Sequence, residues 1–543
     1  TQPITNYTHI PYTSFTSQHI FTTLRKMRKG TASGPFADSI DVWRAFALHT
    51  HKHTHSNQFF HPYFSAFTDL LRIILHNHLP PSIHAAFSAN YFVAFHKDPD
   101  DLTRIRPLGI GTALRRLAGS LLMTIFHNEI VEYLLPDGQF GIAVPGGTDF
   151  VIHSTQSLID RFLSDPRNSS QVILLLDLIN MFNEVSRQAC HGILASTPSL
   201  APLIRYFDIL YSHPNTCWIR RPSGSWTHLI QNDGFAQGDP LGPLFSALTL
   251  SQLLKQINAL LLERSQFRLL NHQQPNDDLL GSQSHTASII DDTSIALPYV
   301  DLPFFLEKFT ELGHPLGIKL ALAKTHILSS ITGHSPSPYL SKIDRHHLLR
   351  AITFLNTDPF NHSPKVTTGI RFLGYPLGSQ SFAKNFLLKA LSKFSLLQTK
   401  FHSKLSDLQT KGQLFRSCAQ PSISYNLAAD VFHNSDINHL PPFHSWNSPF
   451  ITQLSTLYHT FYQHLTSLST PLTPFTLSIL CLPASLGGVG FRNPQHYAIS
   501  SYIIPLFDPF ASPLKATTSI ILPVNAPISP PSLYLPPSPP PFS

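Results

Sequence analysis

The feature that most constrains the fold is the run Gln171-Val172-Ile173-Leu174-Leu175-Leu176-Asp177, in which one acid closes an unbroken apolar stretch. A strand with one wet face alternates apolar and polar residues. An unbroken run must bury both faces and so belongs in the middle of a sheet. The acid at its end then falls at the sheet's rim, where its charge needs a partner. A second acidic element follows in Ser288-Ile289-Ile290-Asp291-Asp292-Thr293-Ser294-Ile295-Ala296. Apolar runs on both sides of Asp-Asp predict a β-hairpin whose turn carries both acids. By itself the dipeptide also reads as an ordinary solvated turn. Two carboxylates in so small a volume repel unless a cation lies between them. With Asp177 beside it, the hairpin would give three carboxylates around two divalent ions, as two-metal phosphoryl or nucleotidyl transfer requires. Magnesium suits the set, because it takes carboxylate oxygens together with substrate phosphates.

Composition bounds the rest. The 543 residues allow several domains and a sizeable core. Lys plus Arg is 38 against 31 acids, a formal charge of +7 with a pI of about 9.1, which fits a polyanionic partner without establishing one. Only 13% of residues are charged, about half the usual share, so limited solubility is expected. Cys190, Cys217, Cys418 and Cys481 have neither disulfide nor zinc spacing, and a reduced cytosol or nucleus is the default setting. No signal peptide and no apolar run near 18 residues is found, so no membrane span is expected. The start at Thr1 rather than Met suggests a fragment of a longer reading frame. His49, His51, His53 and His55 read as a polar surface loop and are assigned no site.

Three motifs fall in one order: Asp177-Leu178-Ile179-Asn180-Met181-Phe182-Asn183, then Gln237-Gly238-Asp239-Pro240-Leu241-Gly242-Pro243, then Asp291-Asp292. That series resembles the polymerase motifs of reverse transcriptases, most closely those of non-long-terminal-repeat (LINE-like) retrotransposons, over roughly residues 20–500. The resemblance implies an α/β (α+β) right-hand polymerase fold with an antiparallel palm sheet backed by helices. Its divisions would be an N-terminal segment, partly disordered (1–18), fingers with the start of the palm (19–170), palm (171–378), helical thumb and C-terminal extension (379–500) and a Pro-rich tail (501–543), expected to be disordered. It implies an RNA-directed DNA polymerase that adds dNTPs to a primer 3′-hydroxyl. Asp177, Asp291 and Asp292 would be catalytic and would hold two Mg²⁺, with Mn²⁺ as a substitute. The implied partners are an RNA template, a DNA primer or RNA–DNA hybrid, dNTPs and other domains of the parent retroelement protein, with no membrane.

The same resemblance assigns further roles. Residues 91–117 read as a strand, a Lys-Asp-Pro-Asp turn and a second strand. Lys97, Arg104 and Arg106 on this fingers-like flap are candidates for the triphosphate, against the plainer reading of an exposed basic turn. Lys29-Gly30-Thr31-Ala32-Ser33-Gly34-Pro35 resembles the entry to the fingers, with Phe36-Ala37 where Asp-Gly is usual. Gly138 and Gln139 would contact template, ahead of a helix over 148–164. Phe182 would pack under the sugar of the incoming nucleotide and exclude a 2′-hydroxyl. Gly238 and Pro240 would give a nucleotide-binding loop close to a base pair, leading into a helix over 243–262, and Gln237 would contact the nucleotide or template sugar. Lys324 would face the leaving pyrophosphate. Leu373 and Gly374 would form the primer-grip turn. Residues 380–420 show helical periodicity with spaced lysines, as in a thumb helix laid along a duplex. Two departures stand out: Ile289 replaces a usual aromatic residue, and Ala321 a frequent Asn. With the missing Met they motivate the alternative of a catalytically impaired, nucleic-acid-binding remnant; a palm-type RNA-dependent RNA polymerase is a further alternative, against which Phe182 argues, and a maturase-like role has no visible intron-binding feature. Stretches 416–418 and 482–490 resemble C-terminal segments of such enzymes, and no endonuclease, RNase H or zinc-knuckle segment is evident.

Overall fold

The computed structural model of the chain describes residues 13–35, 38–45, 62–98, 101–163, 171–270, 284–329, 342–356, 366–405, 407–434, 448–466, 472–483, 486, 488–495 and 497–498. The histidine tract and the Pro-rich tail lie outside these residues, as do the side chains of Lys97 and Arg104.

Strands and helices alternate in a mixed α/β arrangement. In chain order the strands are β1 (Asn90–Asp98), β2 (Asp101–Ile110), β3 (Gln171–Leu176), β4 (Asn215–Arg220), β5 (Trp226–Gln231), β6 (His285–Ile289), β7 (Asp292–Pro298), β8 (His326–Leu328), β9 (Val366–Thr367), β10 (Gly369–Phe372) and β11 (Tyr375–Gly378). They form three sheets: a central one ordered β6-β7-β3-β8-β9, a second ordered β2-β1-β4-β5, and the hairpin β10-β11. The central sheet is antiparallel as expected, except at β8–β9, which pair in parallel.

The run at 171–176 does take the middle of its sheet, with every residue buried. Its two faces feed different cores. Val172, Leu174 and Leu176 pack into one that includes the helices Ala113–Ile125, Leu203–Tyr211, Gly242–Leu270 and Leu302–Gly313. Ile173 and Leu175 pack into another, with the helix Gly147–Leu163, β10–β11 and the helices beyond residue 379. Period-two burial on both sides explains why no polar residue interrupts the run.

The helices near 148–164 and 243–262 form as Gly147–Leu163 and Gly242–Leu270. The periodic stretch at 380–420 is several elements rather than one helix. Gln380–Lys404 is capped at its start by Ser379, ends at Leu405, and is followed by Leu408–Leu414, a π-turn at Phe415–Ala419 and Gln420–Asn434. Its buried stripe is Ala383, Leu387, Leu391 and Phe394, while Lys384, Lys389, Lys393, Lys400 and Lys404 are exposed. Inside the stretch expected to be a loose N-terminal flank, Phe15 is buried and a helix begins at Ser17. Among the described residues, no helix is long and apolar enough to cross a membrane.

Candidate active site

The acids meet through strand register. β3 pairs with β7 up to Leu176 opposite Thr293, so the next step sets Asp177 across from Asp292. β6 and β7 form the expected hairpin, but its turn is one residue earlier than the sequence suggests. Ile289 pairs with Asp292, which leaves Ile290-Asp291 at the turn and makes Asp292 the first residue of β7. Asp177 is half-exposed at the end of β3, and Lys324 Nζ stands 3.5 Å from its Oδ1. The Asp292 carboxyl is pushed up to about 6. The first cause is the protein packed around one side of it, although the residue as a whole remains exposed; the charges of Asp291 and Asp177 add to this. Among the described residues no group of three or more His, Cys, Asp or Glu that could hold a metal ion is found. Magnesium seldom takes an all-protein cage, because it keeps waters and uses substrate phosphates as ligands. The donor chemistry therefore fits: three carboxylates at one rim, two of them raising the third, create the repulsion that a hard divalent cation relieves.

Ile290 has φ +59°. A β-branched residue in that region is an outlier costing about 1–3 kcal/mol, so its surroundings must impose it. Gln139 does so. Its side chain is fully buried; Oε1 accepts from Ile290 N at 2.7 Å and from Gly141 N at 3.0 Å, and Nε2 donates to Ile290 O at 3.0 Å. On either side Ser288 N donates to Gly138 O and Phe140 N to Ser288 O. The side chain expected to reach a template is thus turned inward onto the acid hairpin.

Gly238 is also explained by protein contact. A Cβ there would lie 2.1 Å from the carbonyl oxygen of Gly109, so the loop at 235–242 presses backbone to backbone against β2. Asp239 next to it is buried and accepts from Arg115 Nε (3.1 Å) and Nη2 and from Tyr211 Oη (2.7 Å), while its other oxygen takes Leu241 N (3.0 Å). Arg115 also donates to Ser88 O and Asn90 Oδ1. The ion pair stitches the second sheet to the loop bearing Gln237, which is itself half-exposed. Nothing in the sequence singled Arg115 out from Arg116 beside it.

Phe182 is half-buried, belongs to neither apolar core, and its carbonyl accepts from Phe235 N at 2.6 Å. Leu373 and Gly374, with φ +49° and +87°, form the tight turn between β10 and β11. Arg106 is exposed on β2. Residues paired across strands share a face. Tyr91, Phe95, Arg106, Trp218, Arg220 and Trp226 therefore lie on one side of the second sheet, with buried Asn90, Asn215 and Cys217 on the other. Phe95 is 53% and Trp226 54% exposed, and the Tyr91 and Trp226 rings meet edge-on at 5.4 Å. This aromatic and basic face was not foreseen from the sequence; its signal was the interleaved Trp218-Ile219-Arg220-Arg221-Pro222-Ser223-Gly224-Ser225-Trp226.

No protein-family model and no curated protein matches the chain. Among solved structures it is similar to the apo telomerase of Candida tropicalis. For the form truncated from its C-terminal domain, identity is 12% and the TM-score 0.34, covering 54% of each chain. For the other apo structure, identity is 10% and the TM-score 0.37, covering 84% of this chain and 73% of that one. Both are remote likenesses.

Proposed function

We propose that the chain is an RNA-directed DNA polymerase of a LINE-like retrotransposon, which adds dNTPs to a primer 3′-hydroxyl at the rim shared by β3 and the β6–β7 hairpin. The observation that carries this is the register that sets Asp177 across from Asp292, with Asp291 at the adjoining turn. Asp177, Asp291 and Asp292 would hold two Mg²⁺ or Mn²⁺, which lower the pKa of the attacking hydroxyl and neutralise the triphosphate.

The chain's own residues do the rest. Phe182, in the short helix Met181–Glu184 that follows Asp177, fills the space a ribose 2′-hydroxyl needs. Lys324, whose Nζ lies 3.5 Å from Asp177, would give a proton to the departing pyrophosphate. Gln237 contacts the incoming nucleotide from the loop stitched to β2, and Lys97, Arg104 and Arg106 bind its phosphates. The aromatic and basic face of the second sheet suits single-stranded template, since every base has a π-face to stack. The lysines of Gln380–Lys404 suit duplex phosphates, and the Leu373-Gly374 turn the primer strand.

The test is extension of a DNA primer on an RNA template by the purified chain. Asp177→Asn or Asp291→Asn should abolish extension while leaving the circular-dichroism spectrum and melting unchanged; continued synthesis by either variant refutes the assignment. A second reading, a nucleic-acid-binding remnant without catalysis, draws on Ile289 and Ala321, the two departures from the motif pattern that flank the acids in sequence. Primer–template binding by the unmodified chain, with no extension in Mg²⁺ or Mn²⁺, would favour it.

A further inference from the structure

Two buried glutamines from one stretch of chain make the same unusual contact. Gln139 binds both the N–H and the C=O of Ile290, whose φ is +59°. Gln156, on the helix Gly147–Leu163, binds both the N–H and the C=O of Gly378: Gly378 N donates to its Oε1 at 2.8 Å, and its Nε2 donates to Gly378 O at 3.0 Å. Gly378 ends β11 with φ +126°, and Gln156 is 1% exposed. Each carboxamide therefore clamps one backbone residue of positive φ. One clamped residue lies in the acid turn and the other at the base of the β10–β11 hairpin. Between them, Thr155 Oγ1 lies 2.8 Å from Ser294 Oγ on β7, which ties the same helix to the central sheet.

A carboxamide suits this task because it offers a donor and an acceptor in one plane, matching a peptide unit. Without it, the N–H and C=O of Ile290 or of Gly378 would lose these partners, and at Ile290, where a β-branched residue is strained, the turn would relax to another conformation. Neither glutamine needs to touch a nucleotide for its loss to move groups that do.

We propose that Gln139 and Gln156 are positioning residues: the segment from Gln139 to Leu163 is a jig that sets the acid hairpin and the β10–β11 hairpin on one rigid support, each through its own clamp. This rests on the polymerase reading for what the hairpins do, though not for the clamps themselves.

The test uses Gln139→Met and Gln156→Met in the full chain, since methionine keeps the shape and removes both hydrogen-bonding ends. Three quantities are measured: backbone hydrogen exchange by mass spectrometry, Mn²⁺ binding by electron paramagnetic resonance, and KM for primer–template. Gln139→Met should lose protection over 284–295 and bind Mn²⁺ about tenfold more weakly, as loss of an outer support of a metal site does, with 369–379 unchanged. Gln156→Met should lose protection over 369–379 and raise KM for primer–template, leaving Mn²⁺ binding as it was. Replacing Ile290 by Gly in the Gln139→Met background should restore Mn²⁺ binding, because glycine adopts a left-handed turn without help. If both variants alter both hairpins alike, or neither alters either, the proposal is overturned. Should Gln139→Met fail to fold, Gln139→Glu decides: it keeps the acceptor and loses the donor, and unchanged exchange and Mn²⁺ binding would overturn the clamp. An unmodified chain that binds no Mn²⁺ and extends no primer sinks the polymerase reading instead, while the exchange measurement still judges the clamps.

Discussion

Replacing Arg115 by Met would break the buried pair with Asp239 while keeping most of the side chain's volume. The structure sets the scale. Arg115 and Asp239 are 1% and 4% exposed, so neither charge has water to fall back on. The substitution would forfeit the bonds to Asp239, Ser88 O, Asn90 Oδ1 and Tyr211 Oη. It would leave a carboxylate supported by Tyr211 Oη and Leu241 N. Breaking a buried pair on one side costs about 3–5 kcal/mol, and those two remaining donors place this case near the lower end, about 3 kcal/mol. Asp239→Asn should cost a similar amount, since it strands the guanidinium. The double variant buries no charge, so it should lose far less than the sum, with a coupling of about 2–3 kcal/mol. The assay is urea unfolding followed by the fluorescence of Trp218 and Trp226, with Trp43 and Trp446 changed to Phe, so that the signal reports the sheet joined to Arg115. Effects of the two substitutions that add to within about 0.5 kcal/mol would refute the reasoning, as would a cost below about 1 kcal/mol for either alone.

Two further outcomes are expected. Phe182→Val should lower discrimination against rNTPs by roughly tenfold or more in single-nucleotide incorporation, with dNTP incorporation largely kept; unchanged discrimination would return Phe182 to the role of a packing residue. Replacing Lys384, Lys389 and Lys393 together by Gln should weaken duplex binding uniformly across sequences and flatten the salt dependence of log K by about 0.7–0.9 for each phosphate no longer neutralised, whereas an unchanged slope would make those lysines merely a solvated face.

What the sequence disclosed follows from how each signal is carried. The central strand and the acid pair were legible because burial on both faces forces composition directly, and a hairpin between apolar runs has few other readings. The turn itself was placed one residue late. Local rules put acids at the tip, while Gln139, far off in the chain, stabilises a left-handed Ile290 that no propensity would choose. Long helical periodicity at 380–420 likewise concealed the break at Leu405, because the pattern resumes after Asp407 caps the next helix. Arg115 was illegible for a related reason: a buried guanidinium and a surface one are spelled the same, and only the folded neighbours Asp239, Asn90 and Tyr211 tell them apart.

Gly238 and Gln139 show that contacts inside the protein can account for a motif residue. A glycine required by close approach does not say what approaches it; at Gly238 the Gly109 carbonyl is enough to require one. A glutamine able to donate and accept at once suits a nucleotide, and equally suits a strained peptide unit. The acids differ, because neighbouring carboxylates repel unless positive charge lies near: Asp291 and Asp177 push the Asp292 carboxyl up, and Lys324 stands 3.5 Å from Asp177. If Lys324 were the intended partner of the whole set, Lys324→Met should leave the three acids unbalanced and destabilise the fold. If they await divalent ions, the same substitution should leave stability nearly unchanged, because an exposed pair contributes at most about 1 kcal/mol, and should instead slow extension with metal binding retained. Thermal melting with and without Mn²⁺ separates these cases: a large loss of stability that Mn²⁺ does not restore would mean that the site was built around the lysine.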